Sequence, residues 1–451
     1  MSEASKILSK ELSSCSNFTT TESGTMVSKL AYEYKTFSPT RFKCYYMVPK
    51  GDGLWGIPSE VHFISGTRVI WTTPLIKVKK EYRDTVSVRY TENPGHQVVT
   101  SATIDFDSKG SFTETPIESD IKRAFMVKDK QKYDHDIGNH GKFSKWSDTL
   151  VRYPLTIKQG WFFSNACALS IPCMGDGTNI TFKIITETDI SKLIMMRKKV
   201  DGEYKYTKCD MKYLEVSAIE KPAVLCTGSS VTDAELEFYK SNGKTLYLHD
   251  MKVISDTTPR SPGDKFFVQI NSTAPVKAIF WVARNEAAYT LGNKSNYTTN
   301  VTDSGKGWNP CEFSGTVPSI YINPNGLYVE SSPHYFHDRG LVVEGFPSTP
   351  DKMGFNVCPL SRDCLSVDME DAMILDDIPS CGVAITIGDT NPSKSGRSLF
   401  PDIEFVEGRG ISKKDFRKEK RYEVFVVLLT SKKMTITWDP VRNKMNYTIS
   451  G

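Results

Sequence analysis

The chain has 451 residues, more than one hydrophobic core ordinarily supports, so two domains of roughly 200 residues each are expected. Hydrophobic content of 39% with 24% charged residues excludes wholesale disorder, and 57 basic against 53 acidic residues (net +4) exclude nucleic-acid binding as the property that organises the chain. Aromatic content of 11% with 30 Gly and 23 Pro suits many short strands joined by tight turns, so an all-β fold is predicted.

Residues 1–35 are rich in Ser and Thr, with only Ile7, Leu8 and Leu12 hinting at an amphipathic turn, and read as an N-terminal arm. From Phe42 short β-like runs begin: Lys43–Val48, Val61–Ile64, Thr67–Thr72 and Thr85–Tyr90, with Pro49–Gly53 as turn chemistry. Val98–Phe106 alternates, directing Val99, Ala102, Ile104 and Phe106 inward. Strands this close, without helices of crossover length between them, imply antiparallel sheets in a sandwich or barrel. Ile117–Ser147 is charged and helix-tolerant, and reads as a long surface excursion between core strands.

Val151–Ile185 is the most strongly patterned stretch: an apolar strand, an aromatic corner at Trp161, a small-residue turn ending in Ile171-Pro172, and a strand with Ile180, Phe182 and Ile184 on one face. Met195–Glu203 reads as a charged turn, and Tyr213–Val216 and Ala223–Leu225 as the strands that complete a first domain spanning 36–230. In the second, 231–451, Leu236–Leu248 reads as a hairpin on Asn242-Gly243, and Ile320–Val329 as another on Asn325-Gly326. Phe266–Ile270, Val276–Ala283, Leu341–Val343 and Val383–Ile387 are further strands. Tyr422–Thr430 is apolar on both faces and hence central in its sheet, followed by a Ser-Lys-Lys turn and the alternating Met434–Trp438. The expected architecture is two tandem antiparallel sandwiches, each an eight-stranded jelly roll with long loops.

Ten cysteines without Cys-x-x-Cys or zinc spacing, no apolar core of signal-peptide length near Met1 and no bilayer-length apolar run (Val424–Leu429 is the longest) point to a reducing, cytosolic compartment. The seven Asn-x-Ser/Thr sequons, at Asn17, Asn179, Asn271, Asn293, Asn296, Asn300 and Asn446, are then expected by chance in a Ser/Thr/Asn-rich chain.

Candidate chemistry is sparse. His334, His337 and Asp338 offer two imidazoles and a carboxylate, but a cupin-type site needs His-x-His with a later Glu and a distant His, so a polar loop is the reading. Asp368–Asp371 with Asp376 and Asp377 lacks the Gly-containing twelve-residue calcium loop and reads as a solvated acidic loop. The basic run Lys413–Arg421 is interrupted by Asp415 and Glu419 and reads as a lead-in to a strand. His135 sits between Asp134 and Asp136, with His140 close by, but without a nucleophile or an oxyanion donor. Phosphate loops, Gly-x-Ser-x-Gly elbows and His-Glu-x-x-His are absent from the sequence, so no catalytic, cofactor-binding or metal site and no enzyme activity are predicted.

Five segments, in order, resemble the double jelly-roll major capsid proteins of nucleocytoplasmic large DNA viruses, the iridovirus type above all. Arg89-Tyr-Thr-Glu-Asn-Pro-Gly-His-Gln-Val-Val99 is similar to that family's Trp/Tyr-Thr-x-Asn-Pro-x-His, and Tyr133–Asn139 to its Tyr-x-x-x-Ile-Gly-Asn. Leu155–Ile185 resembles its Leu-Pro-Leu-x-Phe-Phe-Phe-Ser stretch, Ala274–Val282 its Pro/Ala-Val-Lys strand, and Arg421–Leu429 its last long strand. Ala168-Leu-Ser-Ile-Pro172 departs from the family's Ala-Leu-Pro by two residues, and the loops around Pro359–Asp377 match poorly. The resemblance implies homotrimers of pseudo-hexagonal outline tiled into an icosahedral shell, with minor capsid, penton and inner-membrane proteins as further partners and no sequence-specific nucleic-acid binding. It also implies a place in the virion capsid, with synthesis and assembly in the host cytoplasm. The alternative is a jelly-roll carbohydrate- or receptor-binding spike or minor capsid protein.

Overall fold

A computed structural model describes residues 43–106, 110–160, 169–170, 180–230, 244–261, 263–307, 309–311, 319–322, 327–330, 336–338, 342, 345–366, 372–375, 381–387, 421–439, 441 and 444–450. The arm, the middle of Val151–Ile185, the Asn242-Gly243 and Asn325-Gly326 turns, His334, the acidic clusters 368–371 and 376–377, and the basic run up to Lys420 lie outside these residues.

The first half contributes β1 (Lys43–Tyr46), β2 (Val48–Gly51), β3 (Leu54–Gly56), β4 (Phe63–Thr72), β5 (Ile76–Val78), β6 (Val86–Tyr90), β7 (Val99–Phe106) and β8 (Ser111–Glu114). After a helical stretch come β9 (Thr149–Leu150), β10 (Pro154–Lys158), β11 (Leu169–Ser170), β12 (Ile180–Thr186), β13 (Ile194–Val200), β14 (Glu203–Thr207), β15 (Leu214–Val216) and β16 (Ala223–Ser229). One sheet runs β1-β16-β4-β10 with β11 also on β4, and the other runs β2-β3-β12-β7-β8. Their facing sides hold Ile64, Val69, Leu155, Ile157, Val224 and Cys226 against Ala102, Ile104, Phe106, Phe182 and Ile184 in one buried cluster. Alternation along each strand produces this: Phe182 and Ile184 are buried while Lys183 and Ile185 are exposed. Two small sheets, β14-β13-β6 and β15-β5-β9, flank this sandwich.

The second half contributes β17 (Lys244–Arg260), β18 (Lys265–Gln269), β19 (Val276–Asn285), β20 (Ser319–Ile322), β21 (Leu327–Glu330), β22 (Phe355–Pro359), β23 (Gly382–Thr386), β24 (Tyr422–Asp439) and β25 (Lys444–Ser450). Its sheets run β17-β24-β19-β22, with β25 on β24, and β18-β23-β20-β21. As its two-faced apolar pattern predicts, β24 is central, between β17 and β19. Val424, Val426 and Leu428 join the core facing β18 and β23, whereas Val427 and Leu429 face the opposite way into a second cluster.

Two expectations are corrected. Met195–Glu203 is not a turn but most of the β13–β14 hairpin, tightened by Asp201 and Gly202 at φ 53° and 88°. The Ser-Lys-Lys segment does not turn either, because Ser431–Lys433 stay paired with Tyr247–His249 and β24 runs on as one strand of 18 residues.

Candidate functional site

What covers the outer face of the β17-β24-β19-β22 sheet is a helix from the first half of the chain. The Ile117–Ser147 stretch, expected at the surface, forms α2 (Pro116–Phe125), α3 (Lys130–Ile137) and α4 (Gly141–Ser144), after the short α1 (Pro94–Val98). Helix α2 starts where its sequence dictates: the Glu118 carboxylate accepts from the Thr115 backbone N–H at 2.5 Å, as in a capping box, with Pro116 in the first turn. Ile121, Ala124 and Phe125 are buried on one stripe and pack with Phe280, Val282, Val427 and Leu429. Phe125, Phe280 and Phe346 form a triangle with ring centroids 5.4–5.6 Å apart. The helix looks solvated in sequence because its charged residues have their partners far along the chain.

Asp120, at 1% exposure, is the centre of the first junction. Its Oδ1 accepts from Asn93 Nδ2 (2.7 Å) and pairs with His96 Nδ1 (2.6 Å), and its Oδ2 accepts from the Tyr297 hydroxyl of the second half (2.9 Å). His96 Nε2 lies 2.9 Å from the Tyr133 hydroxyl. Each imidazole nitrogen of His96 thus has a polar partner. Burial, then the neighbouring Glu114 and Asp120, push the Tyr133 phenol far up, and burial with Asp120 does the same to Tyr297, so both remain donors.

At the second junction Arg123 holds two carboxylates, Asp134 at 2.5 and 2.7 Å and Asp351 of the second half at 2.9 Å through both oxygens. Burial alone would raise the Asp351 carboxyl, but the bonds and charge of Arg123, with Lys130, hold it well below the usual range. Lys130 Nζ also donates to the Thr349 carbonyl.

The third junction is Glu92, whose Oε2 accepts from Ser304 Oγ (2.6 Å) and Lys352 Nζ (3.0 Å) and whose Oε1 accepts from Asn293 Nδ2 (3.3 Å). Burial opposes ionisation there, and Lys352, Ser304 and Arg89 outweigh it to lower the carboxyl. Gln97 Nε2 donates to Ser295 Oγ (2.8 Å) and Arg89 Nη2 to the Thr302 carbonyl (2.7 Å). Most polar residues of Arg89–Val99 therefore serve the seam between the two sandwiches, a role that reading the motif alone did not reveal.

Packing within the first half accounts for the Ile137-Gly138-Asn139 motif. Gly138 ends α3 at φ 81°, and a Cβ there would lie 2.9 Å from Leu155 Cδ2 and 3.0 Å from Pro94 Cγ. Gly354, at φ 98°, has the Tyr297 carbonyl oxygen 2.1 Å from where a Cβ would sit.

Two sequons, at Asn296 and Asn300, also acquire a cause. Asn293 and Asn296 are fully buried and Asn300 is 8% exposed. Asn296 Oδ1 accepts from the N–H and hydroxyl of Thr298, and Asn300 Oδ1 from those of Thr302, so Asn-x-Thr recurs here as a turn motif.

His337 is buried, its Nδ1 2.8 Å from the Phe355 carbonyl oxygen. His135 stacks on His140 at 5.3 Å, and its Nε2 lies 2.6 Å from the Tyr153 hydroxyl. Burial, then His135 and Lys142, lower the His140 pKa, and its ring packs edge-on against Phe143 at 5.1 Å. Among the described residues no group of three or more His, Cys, Asp or Glu side chains is arranged to hold a metal.

Glu118 yields a pH prediction. Burial pushes its carboxyl up to about 7 against the pull of Lys122 and Thr115. A carboxyl raised on folding stabilises the fold while protonated, so this contribution is present below its ordinary value of 4.5 and lost as pH rises to about 7. Chemical denaturation from pH 5 to 8 should show a decline in wild type on the order of 1 kcal/mol per pH unit, and Glu118→Gln should flatten it; parallel curves would refute the assignment.

Two antiparallel sandwiches in one chain, joined by helices and buried polar junctions, define a double jelly-roll fold. No protein-family model and no curated protein matches the sequence. The fold is similar to that of VP54 of the virus PBCV-1, fitted into the virophage Sputnik (TM-score 0.62, 9% identity, 91% of this chain and 97% of that one). It is similar also to a chain of the PBCV-1 capsid (TM-score 0.59, 9% identity, 87% and 94%) and to the Faustovirus major capsid protein (TM-score 0.59, 8% identity, 87% and 90%).

Proposed function

We propose that the protein is a major capsid protein, a structural rather than catalytic component of an icosahedral virion. The observation that carries this reading is the pair of jelly rolls fixed in one chain by the Asp120, Arg123 and Glu92 junctions. A rigid pair lets three copies supply six similar lobes, and cyclic closure of a trimer avoids open-ended fibres. In this reading residues 1–35 are an arm, 36–230 the first jelly roll and 231–451 the second. The trimers tile a shell with minor capsid, penton and inner-membrane proteins and assemble in the host cytoplasm.

The outer edge of the first sandwich supports a lateral contact. Among the described residues strands β1 and β2 are the edge strands of the two sheets and follow one another through Met47, with Tyr46 73% and Val48 51% exposed. An open edge carrying apolar side chains calls for cover in the assembled state. Light scattering at micromolar concentration should return about 150 kDa, three times the 50.7 kDa chain, and Tyr46→Lys with Val48→Lys should shift it toward monomer with the melting temperature of the subunit preserved. Monomer alone from wild type, with no shell on coexpression with its natural partners, would overturn the reading.

A further inference from the structure

One face of the β14-β13-β6 sheet carries Arg89, Arg197 and Lys199 with Tyr204 and Tyr206, and no carboxylate among its strand residues, as the register Arg197↔Ser87, Arg197↔Tyr206 and Lys199↔Tyr204 requires. The Arg197 guanidinium is clamped between two rings, its Cζ 4.6 Å from the Trp146 centroid and 4.2 Å from that of Tyr204. Its Nε donates to Ser87 Oγ at 3.2 Å, which fixes the plane of the fork. Arg89 lies 5.1 Å from the same Trp146 ring and is committed to the Thr302 and Ser144 carbonyls. Among the described residues no carboxylate pairs with Arg197, and its two Nη atoms are neither hydrogen-bonded nor among the buried unpaired atoms, so they meet solvent.

A cation held rigid by aromatic rings, stripped of an acidic partner and presenting a planar fork is preorganised for a bidentate oxyanion. The neighbouring cations add to its field, since Lys199 is exposed on the same face. The 40% exposed Tyr204 supplies a ring on which the apolar side of a sugar can rest. A membrane fits less well: Met195, the aliphatic residue of β13 on this face, is 1% exposed and cannot insert.

We propose that the Arg197 clamp, with Lys199 and Tyr204, is a binding site for the sulfate or carboxylate groups of an acidic glycan.

The test is retention of the intact protein on immobilised heparin, with binding of a heparin-derived octasaccharide measured by titration. Loss of one charge-assisted fork should weaken octasaccharide binding about tenfold or more in Arg197→Gln. Arg197→Lys, which keeps charge without the fork, should fall between, and Lys199→Gln should lower the eluting salt by a smaller step. Lys252→Gln, which removes the same charge from an exposed position on the second sandwich, should leave elution unchanged. If Arg197 only staples the hairpin, Arg197→Gln will melt earlier yet elute at the wild-type salt, which overturns the proposal. So would equal losses in Arg197→Gln and Lys252→Gln, which mark diffuse charge. Wild-type binding to phosphatidylserine vesicles or duplex DNA without retention on heparin would overturn it in favour of a phosphate ligand.

Discussion

Phe182→Asp is expected to leave no folded subunit. Phe182 is fully buried in β12, between Trp55 of β3 and Ile104 of β7, at the centre of the first sandwich. Removing a buried Phe costs about 3–5 kcal/mol, and burying a carboxylate in its place adds a desolvation penalty, so the total rivals the roughly 5–15 kcal/mol that holds a whole domain together. The next residue along the strand, Lys183, is exposed, and Lys183→Asp should change stability by about 0.5 kcal/mol or less. Soluble yield and near-ultraviolet circular dichroism separate the two. A Phe182→Asp protein that melted within a few degrees of wild type would place Phe182 outside the core.

Arg123→Met should uncouple the two sandwiches. The side chain is 3% exposed and neutralises Asp134 and Asp351 together, so its loss leaves two carboxylates facing each other with only the Lys130 ammonium to offset them. Breaking a buried pair from one side costs about 3–5 kcal/mol, and because Asp351 is 44% exposed the loss here should fall at or below the lower end of that range. Because the pair spans the seam, the expected signature in urea is one transition becoming two, with new protease sensitivity between the halves. Adding Asp351→Asn should recover part of the loss, because it removes one of the unpaired charges. A single transition at the wild-type midpoint would mean that the seam is held without Arg123.

The parts of this fold legible in the sequence are those in which one element decides its own environment. Tyr422–Leu429 is apolar on both faces, and such a strand has no solution except the middle of a covered sheet. Ile180, Phe182 and Ile184 alternate, and they line the core. What the sequence hid were pairings between distant residues. Glu118, Asp120, Lys122 and Arg123 give α2 the texture of a solvated helix, yet Asp120 meets Tyr297 and Arg123 meets Asp351, 177 and 228 positions away. The one local clue was the apolar triplet Ile121, Ala124 and Phe125 at helical spacing, which marks a helix with something to cover. Arg197 was hidden for a related reason: within a charged run it resembles any solvated cation, and only the fold brings Trp146 and Tyr204 to its two sides.

Electron micrographs of the purified assembly test the central claim most directly. If each chain supplies two jelly rolls locked as one body, class averages should show a ring of six lobes with threefold symmetry and the mass of three chains. Six lobes with the mass of six chains, or isolated two-lobed particles under conditions in which shells form, would contradict it.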